Sequence, residues 1–323
     1  MERARAVFFG SGEFAVPVLQ ALAAAPEVKL VGVVSTPPRP AGRRAVPTAT
    51  PVARAVETLG CPLQLPARLR DPAAVAAIAA LEPDLGILSD YGRIVPRAIL
   101  DLPDRGILNL HPSLLPRHRG ASPIPATILD GDAATGVTLF RMDEGMDTGP
   151  IVAVERLALS GREDAPALER RLAEMAAVLL SRSLGPWLRG ELAAVPQPAD
   201  GVTVTRLLRR EDGRLDPRRA APVLERQVRA YRPWPGTWLE TEAGRLGVLQ
   251  GTLAPGDGVS GGVPPAAVGT LVPDGPGLAL VAGDGGLLRL LEVQPAGGRV
   301  MDGAAFRRGH PRIVGTVVGT VAG

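Results

Sequence analysis

Gly106-Ile107-Leu108-Asn109-Leu110-His111-Pro112-Ser113-Leu114-Leu115-Pro116-Arg117-His118-Arg119-Gly120 is the stretch from which the fold of this chain is read. An apolar run enters it, Pro112 ends the run, and Pro116 with Gly120 shapes a loop. Asn109 and His111 stand two residues apart. On a strand they share a face, so a carboxamide and an imidazole project together from the carboxyl edge of a sheet. In a sheet of alternating strands and helices, that edge is where ligands bind.

The flanking sequence supplies the alternation. Residues 6–9 read as a strand, Gly10-Ser-Gly-Glu-Phe-Ala15 as a tight turn and 14–24 as a helix. This is a G-x-G-x-x-A arrangement, the start of a dinucleotide fingerprint, which needs an acidic residue about 20 positions on to hold a ribose hydroxyl. The second strand, 29–34, ends instead in Ser35-Thr36, and a nicotinamide enzyme is set aside. Residues 36–51 are too rich in Pro and Gly for a helix or central strand and predict an exposed loop carrying Arg39, Arg43 and Arg44. Thr50 as N-cap, Pro51 at the first helical position and Gly60 as stop frame a helix over 52–59. A short strand at 61–65, a helix from Asp71-Pro72 to Pro83, and a strand running from 84 into Asp90-Tyr91-Gly92 follow. A helix begins near 121. Another, amphipathic, opens at Glu163-Asp164-Ala165-Pro166 with Leu168, Leu172, Met175, Leu179 and Leu180 on its packing face; Gly185-Pro186 is expected to stop it. Such alternation calls for an α/β fold with a doubly wound, mostly parallel sheet.

Asp147 completes the polar set. It lies in Met142-Asp143-Glu144-Gly145-Met146-Asp147-Thr148-Gly149-Pro150, a Gly-rich turn after the strand-like 136–141. When an amine on one substrate attacks a carbonyl carried by another, the protein needs donors aimed at the forming oxyanion and a group to manage the amine's protons. No nucleophilic Ser or Cys is required. Asn109 and protonated His111 suit the first task; Asp147 suits the second and pairs with His111.

The strings Asn-Leu-His-Pro-Ser-Leu-Leu-Pro-Arg-x-Arg-Gly at 109–120 and Met-Asp-x-Gly-x-Asp-Thr-Gly-Pro at 142–150 resemble the folate-dependent formyltransferases, in particular the branch that acts on tRNA. The likeness covers nearly the whole chain. It implies a Rossmann-like catalytic domain that moves the formyl group of 10-formyltetrahydrofolate to the α-amino group of methionine on initiator tRNA, for translation initiation, with no metal and no covalent enzyme intermediate. It implies Asn109, His111 and Asp147 as the catalytic trio, and Ser113, Leu114, Leu115 and Pro116, together with Tyr91 and Gly92, as folate contacts. The segment Arg-Pro-Ala-Gly-Arg at 39–43 resembles the family's inserted loop that wedges against the tRNA acceptor arm. Arg39, Arg43, Arg44, Arg206 and Arg209 are the expected tRNA contacts. Departures from the family pattern are Asp90 before Tyr91, Arg44-Ala45 in the arginine loop, and Pro125. A sugar-nucleotide N-formyltransferase using the same donor is the alternative.

Length and charge set the frame. At 323 residues two domains are expected: a catalytic domain at 1–189, a linker at 190–206 marked by Pro196, Pro198 and Gly201, and a C-terminal domain at 207–323. Within that last part, Tyr231-Arg-Pro-Trp-Pro-Gly-Thr-Trp238 and short strands separated by Gly and Pro turns predict a small barrel, its aromatics in the core. The same segments resemble the OB-like C-terminal domain of the tRNA-acting branch. Residues 254–269 read as a barrel loop. The net charge of +3 resides here, with fourteen Arg against eleven Asp or Glu from Leu207 onward. Lys29 is the sole lysine, so phosphate contacts fall to guanidinium forks. Cys61 stands alone, which excludes an intramolecular disulfide and a cysteine-based zinc site and points to a reducing cytoplasm. The N-terminal apolar run is too short for a signal sequence and no stretch is long enough to span a membrane; a monomer is expected.

Overall fold

A computed structural model describes residues 3–41, 46–242, 244–254 and 267–318. It divides into two compact units: Met1–Pro123 with Ala133–Leu159 and Ala167–Arg206, and Ile124–Asp132 with Ser160–Pro166 and Leu207–Gly323.

In the first unit the chain runs β1 (Ala4–Gly10), α1 (Ala15–Ala24), β2 (Val28–Val34), β3 (Arg39–Ala41), β4 (Val46–Thr48), α2 (Pro51–Val56), β5 (Leu63–Gln64), α3 (Pro72–Ala79), β6 (Leu85–Ser89), α4 (Arg97–Leu100), β7 (Ile107–His111) and β8 (Arg119–Gly120). After α5 (Pro123–Asp130), which from Ile124 on belongs to the second unit, come β9 (Ala134–Arg141), β10 (Ile151–Ala158), α6 (Ala165–Leu188) and β11 (Val204–Thr205). Seven strands form one sheet in the order β10-β9-β7-β6-β1-β2-β5. The five from β7 to β5 pair in parallel, and β9 and β10 add an antiparallel edge. The central strands are apolar runs because both sheet faces are covered: Ala6, Val7, Phe8 and Phe9 of β1 and all of β6 and β7 are buried. This is the doubly wound, mostly parallel architecture expected from the alternation.

Local chemistry places the helices. The Thr50 hydroxyl accepts the Ala53 N–H at 3.0 Å and caps α2, with Pro51 at its first position. The arginine-bearing segment closes on itself as an exposed two-stranded ribbon, Arg39 opposite Thr48, rather than a plain loop. Arg43 and Arg44 lie outside the described residues. One boundary differs from expectation: α6 does not stop at Gly185-Pro186 but runs on to Leu188. A proline removes one N–H from a helix, and so close to the end that loss costs only one bond. The actual stop is Gly190, at φ +74°, where the Gly190 and Glu191 N–H groups return to the carbonyls of Trp187 and Pro186. Residues 190–206, expected as a linker, carry specific backbone pairings within this unit. Val195 and Ile151 exchange two hydrogen bonds of 2.7 and 2.8 Å, and β11 runs parallel to β8.

The second unit holds α7 (Ala221–Ala230), β12 (Thr237–Thr241), β13 (Gly244–Leu253), β14 (Leu271–Asp274), β15 (Gly277–Val281), β16 (Leu287–Pro295), β17 (Met301–Asp302) and α8 (Gly303–Gly309). The strands pair antiparallel in the order β12-β13-β16-β15-β14, with β17 on β16. Leu224 and Val228 of α7 share one core with Leu246, Leu280, Leu290 and Phe306. Of the aromatics expected in that core, Tyr231 is buried, whereas Trp234 is 55% exposed and Trp238 lies under the Arg245 guanidinium, 3.9 Å from its ring centre. A turn bounded by Pro233 and Pro235 carries Trp234 outward. The barrel loop expected at 254–269 falls mostly on residues outside those described. Among the described residues no helix is long and apolar enough to cross a membrane.

Candidate active site

At the carboxyl end of β7, Asn109 and His111 lie on one face, 7% and 5% exposed. No hydrogen bond from another described residue reaches the Asn109 carboxamide. His111 is held at Nε2, 2.9 Å from the His118 carbonyl oxygen. A carbonyl only accepts, so Nε2 carries the hydrogen. Nδ1 then faces Asp147, whose Oδ2 is 3.6 Å away. Of the trio inferred from the strings at 109–120 and 142–150, His111 and Asp147 therefore meet in space.

His111 is thus held from two sides, by the His118 carbonyl at Nε2 and by Asp147 at ion-pair distance from Nδ1. The Asp147 carboxylate is itself anchored elsewhere, accepting the Gly120 N–H at 2.7 Å. At 3.6 Å the Nδ1–Oδ2 separation is an ion-pair distance, longer than a hydrogen bond.

The 113–116 loop is fixed by a residue that sequence reading passed over. Thr138, on β9 directly opposite His111, donates from Oγ1 to the Ser113 carbonyl at 2.7 Å and accepts the Leu115 N–H at 3.1 Å. Ser113 is turned inward, its hydroxyl on the Arg117 carbonyl. Leu115 and Pro116 are buried, while Leu114 is half-buried. The strand pairing of Thr138 with His111 was the only signal, and it is invisible without the register.

Tyr91 and Gly92 follow β6 in the adjacent loop. The Tyr91 ring is buried edge-on against Phe9, its hydroxyl has no hydrogen-bond partner among the described residues, and burial pushes its phenol up to about 12. That ring is a packing element, so any ligand contact there falls to the backbone of 91–92. Asp90, at φ +44°, receives the Ser11 and Gly12 N–H groups on its carbonyl, and its carboxylate sits directly over Gly12. Desolvation pushes this carboxyl up to about 7, and by its bulk the side chain covers the place where a dinucleotide fingerprint presents its pyrophosphate, which reinforces the exclusion of nicotinamide binding. Among the arginines, Arg39, Arg206 and Arg209 are all exposed.

The remaining supports come from residues 197–205. Thr203 Oγ1 accepts the His118 N–H at 2.7 Å, and Thr205 Oγ1 accepts the Ser122 N–H and donates to the Arg119 carbonyl, both at 3.0 Å. Gln197 bridges Arg119 to the turn that carries Asp147. Nothing in the local pattern of this Pro- and Gly-rich segment foretold these contacts.

Residues 4–184 match the family described as formyl transferase, and residues 207–311 match the formyl transferase C-terminal domain. The methionyl-tRNA formyltransferase of Roseiflexus sp. strain RS-1 is 43% identical over 305 residues, covering 94% of this chain and 92% of its own. That of Paramagnetospirillum magneticum is 43% identical over 314 residues, covering 97% and 99%. The N-formyltransferase from Helicobacter canadensis, solved in complex with folinic acid and dTDP-3-aminofucose, shares the fold, with a TM-score of 0.66 at 14% identity over 90% of this chain and 99% of that one.

Proposed function

Since this chain belongs to the formyl transferase family, we propose that it transfers the formyl group of 10-formyltetrahydrofolate to the α-amino group of methionine carried by initiator tRNA. The observation that carries the chemistry is the buried Asn109 and His111 at the carboxyl end of β7 with the half-buried Asp147 facing His111. The methionyl amine attacks the formyl carbon, and the carbonyl electrons move to oxygen. The Asn109 carboxamide, which has no hydrogen-bond partner among the described residues, donates to that oxygen. In its imidazolium form, His111 keeps Nε2–H on the His118 carbonyl and places its positive charge and Nδ1–H beside both that oxygen and Asp147. Asp147, held close by, takes the amine's proton directly or through water, and the proton is returned to N10 of the folate as the carbon–nitrogen bond breaks. No covalent enzyme intermediate and no metal enters this sequence.

The 113–116 loop and the backbone of Tyr91 and Gly92 would contact the folate. The domain at 1–189 would carry the chemistry and the OB-like domain at 207–323 would hold the tRNA through exposed arginines, with Arg39, Arg206 and Arg209 contributing and Arg43 and Arg44 expected to join them. A monomer in a reducing cytoplasm suits a chain with one cysteine. Purified protein given 10-formyltetrahydrofolate should formylate methionyl initiator tRNA and leave a dTDP-amino sugar untouched. Transfer to the sugar nucleotide instead, or to neither acceptor, refutes the assignment.

A further inference from the structure

Asp147 sits at φ +54°, a left-handed conformation that a non-glycine residue keeps only when its surroundings impose it. The surroundings here form a closed ring. Gln197 Nε2 donates to the carbonyls of Asp147 and Gly149, each at 2.8 Å. Gln197 Oε1 accepts from Nε and Nη2 of Arg119, at 3.0 and 2.7 Å. The residue after Arg119 closes the loop, since the Gly120 N–H meets Asp147 Oδ2 at 2.7 Å. Both ends of Asp147, its carbonyl and its carboxylate, are thus tied to one another through a single carboxamide. The orientation of that carboxamide is forced, because carbonyls only accept and a guanidinium only donates. A glutamate would keep the Arg119 side and put negative oxygens against two carbonyls. An alanine would release both sides.

Resting on the formyl-transfer reading, we propose that Gln197 is a positioning residue for the reaction: it holds the turn of Asp147 so that the carboxylate stays at its working distance from His111 Nδ1. Gln197 touches no substrate in this scheme. Its effect passes entirely through Asp147.

The test is a kinetic cycle on the full chain with Gln197→Ala and Gln197→Glu, each in the native and Asp147→Asn backgrounds. In the native background both should lower kcat by about 10- to 100-fold, the loss that a displacement of about 1 Å produces, with KM for both substrates nearly unchanged. In the Asp147→Asn background the same changes should cost less than about 3-fold, because the group they position has already lost its charge. Gln197→Glu retains the Arg119 anchor, so it reports on the Asp147 side even where Gln197→Ala disturbs folding. A second readout needs no turnover: the His111 ring nitrogen NMR signals should move in Gln197→Glu and stay put in a control such as Val204→Thr. Equal losses in both backgrounds, a rise confined to the KM for tRNA, or unmoved His111 signals would each overturn the proposal. Were the native protein inactive on methionyl-tRNA, the functional reading would fail, and the His111 signals would still decide the role of Gln197.

Discussion

Replacing Thr138 by valine separates hydrogen bonding from packing at the loop beside His111. The side chain is 0% exposed, and valine keeps its shape while removing the hydroxyl that serves the Ser113 carbonyl at 2.7 Å and the Leu115 N–H at 3.1 Å. Each of these backbone groups is left buried without its partner, at about 1–3 kcal/mol apiece. Part is offset by roughly 1 kcal/mol from the more apolar side chain. The net loss is about 3 kcal/mol, or about 6–12 °C in Tm for a domain of this size class. Thr138→Ser makes the opposite trade: it keeps both bonds and gives up one buried methyl, worth about 1 kcal/mol. Thermal and urea unfolding of both variants should therefore rank native first, serine second and valine last. In steady-state kinetics, Thr138→Val should raise KM for the folate more than it lowers kcat, because the loop it frees is the one assigned to that substrate. Valine matching or exceeding serine in stability would mean that the hydroxyl contributes nothing there, and the account of the loop would be wrong.

Four further outcomes follow from the same geometry. Asn109→Ala should lower kcat by about 10²–10³-fold, the cost of one oxyanion donor, while tRNA binding measured by filter retention stays intact. Gly120→Ala should lower both the urea midpoint and activity: Gly120 sits at φ +99° and an added Cβ would run into the Thr205 carbonyl, so strain of about 1–3 kcal/mol adds to a displaced strand pair. In the second unit, Gln227 is 2% exposed and donates to the Asp212 and Arg214 carbonyls at 2.8 and 3.0 Å. Gln227→Leu should cost about 2–3 kcal/mol in chemical denaturation. Raising salt should weaken tRNA binding along a steep log–log line, with a slope near −0.9 for each phosphate neutralised, and leave folate binding flat in a titration calorimetry series.

Much of the site could be read before any coordinates. The alternate placement of Asn109 and His111 at the end of an apolar run, the proline that follows, and the glycine-rich turn around Asp147 are local patterns, and local patterns are what strand periodicity and turn chemistry encode. The cap at Thr50 and the apolar face of α6 were legible for the same reason. Errors arose where two local signals competed. Gly185-Pro186 looks like a stop, yet one lost hydrogen bond near a helix end is outweighed by the packing of the turns around it, and Gly190 terminates α6 instead. Trp234 reads as core by composition and is carried outward by its turn.

What sequence alone determined was which polar groups form the candidate site and the sheet edge that presents two of them, because i and i+2 on a strand share a face whatever else the chain does. What only the tertiary structure decided was how those groups are held: the His118 carbonyl on His111, the Gly120 amide on Asp147, Thr138 under the 113–115 loop, and Gln197 across the whole arrangement. These partners stand 7, 27, 25 and 50 positions from the residues they secure. Two are backbone groups that every residue owns and two are side chains that meet backbone carbonyls, so no local pattern marks the pairs, and only the folded path of the chain selects which carbonyl meets which donor.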